Sequence, residues 1–268
     1  MLTWDAPGDR IFETGIDRGV LYVEGQPGVS WNGLTDVAEN PTGGEVKARY
    51  IDGVKYLATT SAEEFGVTIT AFTYPDEFAQ CDGTAIKFAG VYFGQQTRKP
   101  FGLSYRTRIG NDAEGVDHGY KIHLVYGALA TPSERSYSTM TENTDPSTFS
   151  WACLATPSPV GNGLKPTAHI TIDSRKIPAQ ALQILESRLY GSELQQPYLP
   201  TPAELFQLFT INPGMAYRLQ FNSVTGLSML VPEVPGDLVE TTTAGIFALT
   251  ETTHLTGGSV DGTYIWEP

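Results

Sequence analysis

Residues 101–126 constrain this chain more than any other stretch. Phe101, Leu103, Tyr105, Thr107 and Ile109 alternate with Ser104, Arg106 and Arg108. A period of two puts the first set on one face of a strand and the second on the other. After the polar loop Gly110–Gly119 the chain returns through Tyr120-Lys121-Ile122-His123-Leu124-Val125-Tyr126, whose residue types suit a pleated surface. A long β-hairpin satisfies this pattern, and a hairpin of this size needs further strands to bury its apolar face.

Those strands are legible on both sides. Val20–Val23 is short. Val46–Ile51 and Val54–Thr60 flank Asp52-Gly53, a pair favoured in two-residue hairpin turns. Gly66–Thr73 alternates cleanly, and Thr148–Ala155 and Pro166–Asp173 continue the series. Residues 1–19 are polar and Gly-rich and read as an arm. Thr35–Glu45 contains Asn40-Pro41 and Gly43-Gly44 and reads as a loop. One good helix is expected over Pro178–Tyr190, with Gly191 as its stop. A shorter one runs from Thr201, a capping residue, and Pro202 to Phe209. Beyond it, Tyr217–Phe221, Leu227–Val231, Gly245–Leu249 and Thr263–Trp266 look like short strands. The prediction is a mainly antiparallel β chain in which Val67, Ile69, Leu103, Tyr105, Ile122, Leu124, Ile170 and Ile172 are inaccessible.

Charge narrows the function. Thirty acidic residues against 17 basic ones leave a net charge of −13. That argues against a basic grip on nucleic acid and against attraction to anionic lipid. No apolar run reaches the ~20 residues a spanning helix needs. The opening Met1-Leu2-Thr3-Trp4 lacks the basic and apolar regions of a signal peptide, so none is expected. Cys81 and Cys153 are the only cysteines, too few for a disulfide framework, and two free thiols in a reducing compartment are expected.

Catalytic patterns are missing. There is no G-x-S-x-G, Walker A or dinucleotide fingerprint. Asn111–Asp117 lacks calcium-loop spacing. His118 and His123 with Asp112, Glu114 and Asp117 make a loose cluster, which reads as an acidic hairpin loop rather than a metal site. Arg98-Lys99 and Arg106/Arg108 read as partners of acidic neighbours, Cys153 as a small core residue, and Trp4, Trp31, Trp151 and Trp266 as core or interface anchors. No catalytic, cofactor-binding or metal residue is assigned.

Several segments, in order, resemble the major tail tube proteins of bacteriophages with long, non-contractile tails. They are Ile11-Phe12-Glu13-Thr14-Gly15-Ile16-Asp17-Arg18-Gly19-Val20-Leu21-Tyr22, Trp31-Asn32-Gly33-Leu34, Ser61–Gly66, Tyr74-Pro75-Asp76-Glu77-Phe78, the central hairpin, and Ile170–Ser174. Leu185–Pro202 adds to them with less force, and Thr210–Pro268 matches nothing of the kind. The resemblance implies an antiparallel β-sandwich or barrel with one flanking α-helix over residues 1–209, and a β-rich extension of unknown role over 210–268. It implies a structural virion protein, not an enzyme, without a cofactor. Six copies would close into rings that stack into a tail tube in the virion, assembled in the host cytoplasm. Its partners would be other copies of itself, the tape measure and tail-end proteins, and double-stranded DNA in transient passage, with no membrane.

On composition, the arm Met1–Gly19 and the loop with Asp36, Glu39, Asn40, Pro41 and Gly43 are expected to reach an adjacent ring. On charge, Glu63, Glu64, Asp76 and Glu77 are candidates for an acidic channel wall. Alternatives are a tail-tip or terminator ring protein, a surface β-sandwich that binds carbohydrate or acts as an adhesin, and a hydrolase with an unrecognised carboxylate pair.

Overall fold

The computed structural model describes residues 4–137, 139, 146–161, 163–192 and 195–210, and six strands between 217 and 267 as backbone. Two compact units are present, Met1–Leu208 and Phe209–Pro268. In chain order the elements up to Thr210 are β1 (Ile11–Val23), β2 (Val29–Ser30), β3 (Leu34–Gly43), β4 (Val46–Ile51), β5 (Val54–Thr60), β6 (Glu63–Ala71) and a 3-10 turn (Asp76–Gln80). They continue with β7 (Ala85–Phe88), β8 (Val91–Phe93), β9 (Phe101–Asn111), β10 (Gly115–Ala130), β11 (Phe149–Ala155), β12 (His169–Asp173), α1 (Ala179–Tyr190) and α2 (Pro202–Thr210). All described strand pairs are antiparallel.

The main sheet runs β2-β1-β9-β10-β11-β6-β3, with β12 also on β10. Strand β10 serves two leaves. Lys121–Val125 pairs β12, and Ala128–Ala130 pairs β11. Between them lies a bulge at which Gly127 takes φ +57°, and a Cβ there would meet the Thr156 carbonyl at 2.9 Å. Glycine is what lets β10 turn from one leaf into the other. The leaves close on one core. Leu21, Val23, Leu103, Tyr105 and Val125 from the first meet Val67, Ile69, Ala71, Trp151 and Cys153 from the second. The 3-10 turn inserts Phe78, fully buried, with its ring 4.7 Å from Trp31, 5.1 Å from Trp151 and 5.3 Å from Phe101. Side chains of this size, fully buried, stabilise the fold by roughly 1.5–3 kcal/mol each.

Helix α1 covers the outer face of the first leaf. Leu185 and Leu189 are fully buried, and Tyr22 Oη donates to the Leu189 carbonyl at 2.8 Å while bonding Ser104 Oγ at 3.0 Å. Tyr126 Oη donates to the Pro200 carbonyl at 3.0 Å. Ser104, which alternation puts on the polar face of its strand, is therefore buried beside Ile122 and Leu124. Gly191 ends α1 at φ +84°. Thr201 and Glu204 form a capping box at α2: the Thr201 N–H donates to Glu204 Oε2 (2.7 Å), and the Glu204 N–H to Thr201 Oγ1 (3.3 Å).

The fold is mainly β, antiparallel, with a flanking helix, as the sequence indicates. Seven of the eight residues expected in the interior are buried, and Ile170 is half-buried. Two local expectations are corrected. Residues 11–19 are no arm but the first part of β1, paired with β9 from Ile11↔Asn111 onward. The ladder is interrupted by two irregularities, one at Gly15 (φ +63°) and one around Arg18 (φ +49°) and Gly19. Of the arm, residues 1–3 lie outside the described residues. Thr35–Glu45 is no loop either, because β3 runs to Gly43 and pairs β6 throughout. Among the described residues β3 has a partner on one side only, the edge position in which a proline is tolerated.

In the second unit, β13 (Tyr217–Asn222) pairs β14 (Leu227–Pro232), β15 (Leu238–Glu240) pairs β16 (Phe247–Leu249), and β17 (His254–Gly257) pairs β18 (Tyr264–Glu267). Sequence reading finds four of these six strands and misses β15 and β17.

Candidate assembly surface

Two hairpins stand apart from the main sheet. β4–β5 and β7–β8 are each two-stranded sheets of their own. The Asp52-Gly53 turn of the first has positive φ at both residues (49° and 77°), the geometry that matches strand twist. Its apolar side chains face solvent, with Val54 and Tyr56 both 70% exposed and Val46, Tyr50, Ile51 and Leu57 also exposed. The second exposes Phe88 (68%), Ile86, Val91, Tyr92 and Phe93. Two-stranded hairpins are marginal alone, and clustered apolar side chains in water mark an interaction surface. The β4–β5 hairpin is also basic. It carries Lys47, Arg49 and Lys55 against one acid, Asp52, in a chain whose net charge is −13.

Sheet edges are open as well. Among the described residues, β1 pairs β2 only at Val20 and Leu21, so Ile11–Asp17 has β9 on one side and no strand on the other. Strands β3 and β12 are likewise bound on one side only.

The inter-ring candidates lie on that β3 edge. Asp36, Glu39, Asn40, Pro41 and Gly43 are all exposed, but the Glu39 carboxylate is held by buried and half-buried neighbours. Its Oε1 accepts a hydrogen bond from Tyr105 Oη at 2.6 Å and lies 3.3 Å from His123 Nδ1 and 3.4 Å from His169 Nε2. Burial holds both histidines below their usual pKa, Glu39 opposing, so they are neutral at pH 7. Among the described residues, Glu39, His123 and His169 are the group whose ligand atoms converge on one point. The sequence groups His123 with His118 instead. The structure puts His118 near the hairpin tip, 3.0 Å from Glu114. Glu39 was hidden in a supposed loop and His169 stood alone on its strand. The signal available was parity, since Glu39 shares a strand face with Val37, which packs on the core.

The channel-wall candidates do not form one patch. Glu63 and Glu64 are exposed where β6 begins, beside the β4–β5 hairpin. Asp76 and Glu77 lie beyond the other end of that nine-residue strand, in the 3-10 turn. Asp76 is exposed and accepts from Tyr92 Oη at 3.3 Å, and Glu77 is half-buried.

Three of the four residues in the basic pairs find acids within the chain. Arg106 and Arg108 both bind Asp17, and Arg98 lies 3.9 Å from Asp82. Cys81 and Cys153 are free and buried, and burial pushes both thiols up to about 12, so neither is a nucleophile at neutral pH. Trp31 and Trp151 are core residues. Trp4 is exposed, and the Trp266 side chain lies outside the described residues. Among the described residues, no helix is long and apolar enough to cross a membrane.

No protein-family model and no curated protein matches the chain. Among solved structures, a chain of the sheath-tube complex of an extracellular contractile injection system, PVC, in its extended state is similar at 14% identity and a TM-score of 0.30. The similarity covers 58% of this chain and 88% of that one. A likeness at that level assigns this chain neither a fold nor a function.

Proposed function

We propose that this protein is a self-assembling structural subunit of a phage tail tube, with no catalytic activity of its own. The observation that carries the reading is the pair of projecting hairpins, which expose eleven large apolar side chains on elements too small to be stable alone. Their partner is a second copy of the chain, since a basic β4–β5 hairpin complements an acidic subunit. The open edges support the same reading. Such edges invite pairing without limit unless a head-to-tail contact closes into a ring. The resemblance of the central hairpin and its neighbours to tail tube proteins supplies the identity of the assembly, with hexameric rings stacked for DNA delivery. The tape measure and tail-end proteins are the further partners of that tube, and the virion tail is its location.

The test is assembly of the full chain against Tyr50→Glu/Tyr56→Glu. Both tyrosines are exposed, so the variant is expected to keep the monomer fold. Wild-type protein is expected to give rings and tubes in negative stain, and the variant only small species. Monomers from wild type at high concentration, or tubes from the variant, would contradict the reading.

A further inference from the structure

Between the two leaves of the sandwich, Glu39 on β3 meets His123 on β10 and His169 on β12. Three donor atoms, Glu39 Oε1, His123 Nδ1 and His169 Nε2, lie 3.3, 3.4 and 3.4 Å from one another. Tetrahedral zinc, with bonds of ~2.0–2.1 Å to nitrogen and ~2.0–2.2 Å to carboxylate oxygen, sets its ligand atoms ~3.3–3.5 Å apart. The triangle already has that size. The imidazole rings are nearly parallel (9°) with centroids 5.5 Å apart, yet their facing nitrogens are 3.4 Å apart. The rings therefore turn nitrogen edges, not faces, toward one another.

The surroundings favour ligation. His123 Nε2 is 3.0 Å from Thr107 Oγ1. When that nitrogen carries the proton and donates to the hydroxyl, Nδ1 presents its lone pair to the cluster, the outer-sphere arrangement that orients metal-bound histidine. Tyr105 stacks on His123 at 4.7 Å and Phe65 on His169 at 4.8 Å, which fixes both rings. Tyr105 Oη occupies one lone pair of Glu39 Oε1 and leaves the other free.

We infer that Glu39, His123 and His169 form a site for a divalent transition-metal ion of the zinc class, with solvent as the fourth ligand, that clips β3 of one leaf to β10 and β12 of the other. The inference stands apart from the assembly reading, because the site lies within one subunit.

Full-length protein stripped with EDTA and titrated with Co2+ tests it. One Co2+ per chain is expected, with the strong visible absorption of tetrahedral cobalt, displaced by Zn2+. Zn2+ should raise the Tm by several degrees, reversibly with EDTA. His169→Gln and Glu39→Gln should each lose the spectrum and the Zn2+-dependent shift, and should one of them fail to fold the other is read. His118→Ala, at the hairpin tip, should keep both. Absence of a tetrahedral spectrum from wild type in several-fold excess Co2+ overturns the inference. So does an unchanged spectrum in the folded Glu39 or His169 variant, or its loss in His118→Ala.

Discussion

Asp17 holds two arginines. Arg106 grips it through Nε and Nη2 at 2.6 and 2.8 Å, Arg108 through Nε at 3.1 Å, and the Arg106 guanidinium lies 4.5 Å over the Tyr120 ring. The hydrogen bonds from Arg106 hold the Asp17 carboxyl below its usual pKa, against the opposing effect of burial. Asp173 is held at about 2 by the hydrogen bonds from Arg175. For both carboxyls the folded value is below the unfolded one. Their stabilisation is complete above about pH 4 and is lost as pH falls through that value toward the folded pKa. Asp17→Asn should cost about 1–3 kcal/mol at pH 7, since it breaks charged hydrogen bonds to a largely buried arginine. The cost should shrink when urea unfolding is repeated at pH 3, and a penalty that grows with acid would contradict the sign. Phe78→Ala, which empties the aromatic centre of the core, should cost about 3–5 kcal/mol in the same measurement.

Elements show how far the sequence could be read. The β9–β10 hairpin, β4–β5 and both helices were legible because each carries its own signal, in alternation, a turn pair or a cap. The first part of β1, the whole of β3 and the β7–β8 hairpin were not. Gly15, Pro41 and Gly43 are breakers in a local reading, and only the ladders to β9 and β6 turn them into bulges, an edge proline and a strand end. The same loss hid the Glu39 cluster, whose members are brought together by β3, β10 and β12. Nor could alternation show that α1 covers the Ser104 face. Because β3 is a paired strand whose Val37 packs on the core, deleting residues 36–44 would disturb the fold as well as any contact, so the β4–β5 hairpin is the segment to alter in a test of assembly. At the bend of β10, Gly127→Ala should destabilise by roughly 1–3 kcal/mol, because it combines a left-handed φ with a 2.9 Å approach to the Thr156 carbonyl. Thermal unfolding checks this, and a neutral effect would mean the bend does not need glycine.

For the whole molecule the charge balance matters most. Duplex DNA carries one negative charge per ~1.7 Å of axis, so a basic bore would hold it at many points. A wall of carboxylates repels it, and with a Debye length of ~8 Å at physiological salt the force acts only near the wall. With −13 per chain, the proposed tube should face its channel with more Asp and Glu than Lys and Arg, Glu63 and Glu64 being candidates. Equal or greater numbers of basic side chains there would mean that the acidity serves solubility instead.

Cryo-electron microscopy of the purified full-length protein at side-chain resolution decides whether the chain builds a tube. Stacked rings around an open channel are expected, with the apolar side chains of β4–β5 and β7–β8 buried against neighbouring copies. Tubes that leave both hairpins in solvent, or a protein that stays monomeric at every concentration tried, would contradict that expectation.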